Sequence, residues 1–280
     1  MLVTSKQMVL AARQNGYAVG CFNTSDLEIT KAIIAAATAQ NSPVIIATSE
    51  KAIEYAGLET LAALIKEEAL QAKIPVALHL DHGQSITTVE KCLRAGYTSV
   101  MFDGSSLPLE ENEVKTRHAV ELAHHQGVPC EGELGHLGKV EENTIDYTDP
   151  DDVPGYLERT GVDFLAVSVG SKHGSEGEGT ENLKISLLNK ISQKTDKPLV
   201  LHGASGVAES DIRAAIQYGI AKVNIDTDIR LTFSKSIRKV VSQNPHENDP
   251  REILIPVMGE VQRLVEEKIK LFGSDGKVSK

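Results

Sequence analysis

Three histidines in this 280-residue chain, His82 in "HLDHG", His173 in "GSKHGS" and His202 in "LHGASG", are each followed directly by glycine, and Asp81 immediately precedes the first. Imidazoles brought together from separate segments suit an open Zn2+ site, in which three protein ligands leave a position for water or substrate. A following glycine lets backbone approach the ligand closely. In "LHGASG", Gly203, Ala204, Ser205 and Gly206 also offer backbone N–H groups and a hydroxyl, with Asp211 opening the next helix. Such a turn suits a phosphate. The remaining histidines read more plainly: His118, His124 and His125 as a polar helix face, His136 and His246 as loop residues. By strand alternation His79 shares the side of Asp81 and is expected to line the top of the site.

A repeat positions these groups. Gly16 leads through "YAVGCF" to Asn23, Gly96 through "YTSVMF" to Asp103, and Gly219 through "IAKVNI" to Asp226, seven residues apart each time. Gly127 leads through "VPCEG" to Glu133, six residues on. Glycine just past a helix supplies the left-handed conformation that turns the chain into a strand. With "PVIIAT", "PVALHL", "DFLAVSV" and "PLVLH" there are eight short apolar runs, alternating with helical stretches such as "DLEITKAIIAAATAQ" and "GLETLAALIKEEALQ". Near-continuous apolar strands alternating with helices predict a parallel sheet covered on both faces, and eight of them predict a (β/α)8 TIM barrel. An open doubly wound sheet is the rival, but it usually has fewer strands and no GxGxxG opens the first helix here. A single domain over residues 1–280 is expected, with "NDPREILIPVMGEVQRLVEEKIKLFG" as an appended C-terminal helix. The strand ends then send Asn23, Ser49, Asp81, His82, Asp103, Glu133, His173, His202, Asn224 and Asp226 to one rim, where such barrels do their chemistry.

Composition narrows the function classes. A net charge of −10 argues against a general grip on nucleic acid or anionic membrane, so an anionic ligand must be held locally. The absence of Trp and an aromatic content of 4% leave no stacking platform for bases. Cys21, Cys92 and Cys130 form no CxxC pair, which fits a reducing compartment, and the cytoplasm is expected. "MLVTSKQMVLAARQNG" reads as an amphipathic helix and not as a signal sequence, and no run reaches membrane-span length.

Taken together, "NGYAVGCFN", "HLDHG", "SVMFDGS", "EGELG", "LHGASG", "NIDTD" and "NDPR" resemble the class II, metal-dependent ketose-bisphosphate aldolases along essentially the whole chain. The resemblance implies that His82, His173 and His202 bind a catalytic Zn2+ and that Asp81 protonates the aldehyde oxygen. It implies that Gly174, Gly203, Ala204, Ser205, Asn224, Ile225, Asp226 and Thr227 hold the dihydroxyacetone phosphate half. Asp103 and Glu133 match a second cation position, and Ser49 a position near the substrate hydroxyls. A monovalent cation, Na+ or K+, belongs to the same expectation. Glu141 or Glu142, in "GHLGKVEENTID", matches the loop acid that moves the proton of dihydroxyacetone phosphate. Arg251 matches a group that reaches the aldehyde-side phosphate, in some members from a neighbouring subunit, so a homodimer or homotetramer is expected.

Other readings stay open at this level. A zinc-dependent hydrolase on the same barrel would use similar ligands, although such sites commonly take an HxH pair from the first strand, which here ends in "CFNTS". A Schiff-base aldolase needs a desolvated strand lysine. Lys172 and Lys222 read instead as strand-flanking charges. Fructose against tagatose 1,6-bisphosphate rests on one or two hydroxyl contacts, and "VLHGASGV" with "NIDTD" favours fructose.

Overall fold

Gly16, Gly96, Gly127 and Gly219 all lie at positive φ, +65°, +88°, +71° and +97°, and each stands where a helix gives way to a strand. The repeat read from the sequence is therefore a set of turns at helix C-terminal ends, Gly16 as the C-cap itself and Gly96, Gly127 and Gly219 one residue past it. In the computed structural model, which describes residues 1–137, 146–172, 174 and 182–278, these turns feed eight strands. They are β1 (Val19–Asn23), β2 (Val44–Ser49), β3 (Val76–Gly83), β4 (Ser99–Phe102), β5 (Cys130–Leu134), β6 (Phe164–Val167), β7 (Leu199–Leu201) and β8 (Ile220–Ile225).

The helices are α1 (Ser5–Asn15), α2 (Leu27–Ala39), α3 (Glu50–Ala56), α4 (Leu58–Gln71), α5 (Ile86–Arg94), α6 (Leu109–His125), α7 (Val153–Thr160), α8 (Ile185–Ser192), α9 (Glu209–Gln217), α10 (Thr227–Gln243) and α11 (Pro250–Phe272). Among the described residues, no helix is long and apolar enough to cross a membrane.

All strand pairs are parallel and follow chain order, and β1 closes on β8, with Cys21 opposite both Ile45 and Asn224. This is the expected (β/α)8 barrel. Closure leaves no free sheet edge and gives each strand an inward and an outward face. The outward residues pack under the helices, as Phe22, Leu78, Val100, Leu165 and Val223 do. The inward face carries small apolar residues, Cys21, Ala47, Ala77 and Val200, and α1 seals one end with Met8, Val9 and Ala12. α11 is more than an appendage. It packs along α2 and α10, stacks Phe272 on Phe22 with ring centroids 6.5 Å apart, and accepts the Ala18 N–H at the Phe272 carbonyl at 3.0 Å.

The strand register shifts at two places, between Leu199 and Val200 where β7 meets β8 and at the end of β3. The register with β4 shifts between Leu80 and Gly83, and His82 sits at φ +50°. Gly83 is needed for close approach, because a Cβ there would lie 2.8 Å from the Met101 carbonyl oxygen. Gly259, inside α11, has nothing within 4 Å of such a Cβ. Gly83→Ala is expected to lower unfolding free energy by roughly 1–3 kcal/mol through overpacking. Gly259→Ala should raise it by about 0.5–1 kcal/mol by helix propensity. Urea unfolding midpoints of the two variants check both signs.

Candidate active site

Neighbouring strand residues point to opposite faces, so Asp81 and His82 would ordinarily be separated. The register shift and the left-handed backbone at His82 bring both side chains to the rim. His202, one residue past β7, meets them from across the barrel. The His82 and His202 rings lie edge to face with centroids 4.4 Å apart. Asp81 Oδ1 is 3.9 Å from His82 Nε2 and 3.8 Å from His202 Nδ1. One donor atom from each of Asp81, His82 and His202 falls within 4.8 Å of the others.

A carboxylate stands behind each imidazole. Asp103 Oδ2 is 2.7 Å from His82 Nδ1, and Glu131 Oε1 is 2.8 Å from His202 Nε2. An N–H directed at a carboxylate fixes the tautomer, so in the neutral rings His82 Nε2 and His202 Nδ1 are the nitrogens that present lone pairs on the Asp81 side. That donor set fits a borderline cation such as Zn2+, and with His173 it would complete three ligands. His173, Glu141 and Glu142 lie outside the described residues.

Asp103 Oδ1 also accepts from the Ser105 amide and hydroxyl, at 3.0 and 2.7 Å, and Ser105 reaches His136 Nδ1 at 3.0 Å. Glu133 is buried, with Oε2 3.7 Å from His82 Nδ1. His82, Asp103 and Glu133 thus form a second cluster with ligand atoms within 4.8 Å, behind the first. In the arrangement seen, Asp103 orients His82.

The electrostatics match this geometry. Burial opposes ionisation of Asp81, but the His82, His202 and Lys222 charges outweigh it and hold its carboxyl down at about 2. Burial likewise opposes charge on His82, yet Asp81 and Asp103 raise it to about 10. Asp103 is held below the usual carboxylate range, chiefly by its hydrogen bond to His82 against the cost of burial. Burial, then the Asp103 charge, pushes Glu133 well above that range.

Two other polar residues grip Asp81. Asn23 Nδ2 donates to Oδ2 at 2.7 Å and Asn224 Nδ2 to Oδ1 at 2.9 Å. Beneath them, fully buried Lys222 donates to Asn224 Oδ1 at 2.8 Å and lies 2.9 Å from Glu131 Oε2 and 3.4 Å from His79 Nε2. The expectation that Lys222 is a strand-flanking charge is therefore overturned: it shares the inward parity of Asn224 two residues on. His79 does face inward with Asp81, but it lies wholly buried within the barrel, bonded to Ser99 Oγ at 2.8 Å, and not at the exposed top. Glu131 carries no motif of its own, although it stands two residues before Glu133 and so on the same face.

The proposed phosphate turn follows β7. Gly203 has φ +63°, and a Cβ there would lie 2.7 Å from the Lys172 carbonyl oxygen, so the chain just before position 173 passes tightly against it. Ala204, Ser205 and Gly206 form a short 3-10 turn. Ser205 Oγ accepts the Asp228 N–H at 3.2 Å, tying this turn to the start of α10, where Asn224, Ile225, Asp226 and Thr227 run from strand into helix. Gly174 lies at φ +87°, and among the described residues nothing lies within 4 Å of a Cβ placed there. Ser49 caps α3, its hydroxyl accepting from Ala52 N at 3.3 Å. It lines a recess of about 360 Å3 with Asn23, Asp226, Arg230, Lys51 and Tyr55. A larger hollow of about 790 Å3, walled by Lys6, Asp163, Phe164 and Pro198, opens at the opposite, N-terminal ends of β6 and β7, away from these groups. Arg251 is not among the residues lining the rim recess; on the exposed first turn of α11 its guanidinium forks onto Asp249 at 2.6 and 3.0 Å.

The sequence profile described as fructose-bisphosphate aldolase class-II matches residues 3–277. The chain is 41% identical to fructose-bisphosphate aldolase of Thermus caldophilus, over 99% of this chain and 100% of that one. It is 42% identical to fructose-bisphosphate aldolase of Streptococcus pyogenes serotype M1, over 99% of both. Among solved structures, the YdjI aldolase of Escherichia coli K12 superposes with a TM-score of 0.90 at 34% identity, each chain covered in full. Fructose-bisphosphate aldolase of Campylobacter jejuni superposes with a TM-score of 0.85 at 25% identity, over 99% of this chain and 97% of that one. A profile match and identities of this extent leave no part of the barrel outside the likeness: the chain belongs to the class II fructose-bisphosphate aldolase family.

Proposed function

We propose that this aldolase cleaves fructose 1,6-bisphosphate reversibly to dihydroxyacetone phosphate and glyceraldehyde 3-phosphate, with Zn2+ held by His82, His173 and His202. The observation that carries the reading is the pairing of two carboxylate-backed imidazoles with Asp81, itself gripped by two amides, at one rim. Bound Zn2+ supplies Lewis acidity toward the substrate's ketone oxygen. Asp81 takes the proton from the C4 hydroxyl as the C3–C4 bond breaks and returns it to the aldehyde oxygen in the reverse direction. Its depressed carboxyl keeps it an acceptor at neutral pH. Glu141 or Glu142 exchanges the proton at the dihydroxyacetone phosphate carbon. The turn at residues 203–205, Gly174 and residues 224–227 hold that half's phosphate, using backbone N–H groups at the start of α10. Asp103 and Glu133 remain candidates for a second cation, and a monovalent Na+ or K+ belongs to the same proposal.

The rim recess suits the aldehyde half. Asn23 Oδ1 is buried without a hydrogen-bond partner among the described residues, an acceptor suited to a sugar hydroxyl. The distal phosphate then meets Lys51 in the recess, or Arg251 contributed across a subunit interface of a homodimer or homotetramer. Three free, buried cysteines support a cytoplasmic setting.

Chelation should abolish cleavage, and metal rebinding at neutral pH should release about one proton, because His82 must lose its proton to bind. Its folded value, about 10 against an ordinary 6.5, is raised. The stability it contributes is therefore complete below about pH 6.5 and lost as pH rises through about 10. Metal-free protein should lose thermal stability across that window, and Zn2+-loaded protein should lose much less. Buffer-dependent titration calorimetry and melting curves read both effects.

Asp81→Ala should lower aldol turnover by about 10²-fold or more while proton exchange of dihydroxyacetone phosphate falls less. Loss of exchange with aldol turnover intact would reverse the assignment of the two acids. A side-by-side kcat/KM on fructose and tagatose 1,6-bisphosphates decides the C4 epimer.

Arg251→Ala and Lys51→Ala are expected to separate the two phosphate readings. The residue that binds the distal phosphate should raise KM for the bisphosphate by roughly 10-fold on truncation and leave dihydroxyacetone phosphate binding nearly unchanged. A strictly monomeric, fully active enzyme would remove Arg251 from consideration.

A further inference from the structure

We infer that Lys222 is the positioning residue that sets both halves of the site at once, holding Glu131 behind His202 and fixing which end of the Asn224 amide faces Asp81. The inference rests on the roles just proposed for His202 and Asp81. Lys222 is completely buried on β8, opposite Val19 of β1 and Val200 of β7 in register. A matched apolar pair in place of Lys222 and Glu131 would pack there without desolvating two charges, since a buried ion pair is seldom superior to well-packed apolar residues. The charge is therefore retained for what it directs.

Its donors account for the direction. An ammonium donates and cannot accept, so only the oxygen of an amide can face it. Lys222 Nζ meets Asn224 Oδ1 at 2.8 Å, which turns the Asn224 NH2 toward Asp81 Oδ1, 2.9 Å away. Asn23 holds the other carboxylate oxygen at 2.7 Å, and the plane of Asp81 is thereby fixed from both sides. Without Lys222, the Asn224 amide is free to turn over and set its oxygen against the carboxylate. The second branch runs through Glu131, whose Oε2 lies 2.9 Å from Nζ and whose Oε1 faces His202 Nε2 at 2.8 Å. One buried cation thus stands one residue removed from the proposed metal ligand and one removed from the proposed acid. The same contacts exclude Lys222 as a nucleophile: its nitrogen is paired on Glu131, enclosed, and held protonated against the cost of burial by Cys21, Glu131 and Asp81.

Removing Lys222 alone would leave Glu131 a buried, uncompensated charge, so the decisive variant is Lys222→Met combined with Glu131→Gln. The glutamine carbonyl can still accept from His202, while the hold of Lys222 on the Asn224 amide is released. Wild type is assayed first: chelator-insensitive cleavage would overturn the functional reading, and this inference with it. With that reading intact, the double variant should fold, melt within a few degrees of wild type, and lose about 10-fold at most in Zn2+ affinity, the lower end for a changed group behind a metal ligand, by competition with a chromophoric chelator. Its kcat for aldol cleavage should fall about 10²-fold with KM nearly unchanged, while dihydroxyacetone phosphate exchange stays within several-fold. The single Lys222→Met variant should additionally weaken Zn2+ about 10-fold, the usual scale for losing support behind a metal ligand. Wild-type kcat in the double variant would overturn the inference. So would parallel losses in kcat, exchange, Zn2+ affinity and melting temperature, which indicate packing alone.

Discussion

A strand alternates its side chains, and two neighbours can serve one site only where the alternation is broken. Asp81 and His82 are such neighbours, and the rest of the site is arranged around the break. The left-handed backbone at a non-glycine residue is unfavourable by about 1–2 kcal/mol, so surrounding contacts must hold it. They do so on every side: Asp103 takes His82 from behind, Asn23 and Asn224 grip Asp81, and Gly83 lets β4 close in immediately after. Strain at this point gives an acid and an imidazole from adjacent residues facing the same space.

The barrel interior follows from the same demand. Its middle layer carries a connected polar path, from Ser5 through Ser99, His79 and Lys222 to Glu131 and His202. Buried polar groups are tolerated when each is satisfied, and such a path has few alternative arrangements. The same interior holds small residues, Cys21, Ala47 and Ala77, together with the larger Ile45, Met101 and Phe164. The rim is thus supported from below by directional bonds, which specify angle as well as distance.

Much of this was legible in the sequence because it depends on local rules. Glycines at fixed distances marked the helix ends, β-branched runs marked the strands, and the strand ends named Asp81, His82 and His202. What stayed hidden depends on which face a residue takes and what lies across the barrel. Lys222 looks like a flanking charge until β8 is known to begin at Ile220, and only then do Lys222 and Asn224 share the interior. Glu131 is two positions from Glu133, yet its partner His202 comes from β7, a pairing no spacing encodes. His82 presents both rules at once: its type announced a ligand, while its φ of +50° had no signal beyond the glycine that follows.

α11 closes over β1 and α2 from the far end of the chain, and its Phe272 meets Phe22 across about 250 residues of sequence. During synthesis at about 5–20 residues per second, that separation is roughly 10–50 s of elongation. Through this interval the face of α2 that α11 will cover and the outer side of β1 have no lid, however early the strands pair. A nascent chain in this state presents an apolar surface in the crowded space outside the ribosome. The outer side of β1 and the neighbouring face of α2 therefore gain their cover only when the last helix emerges.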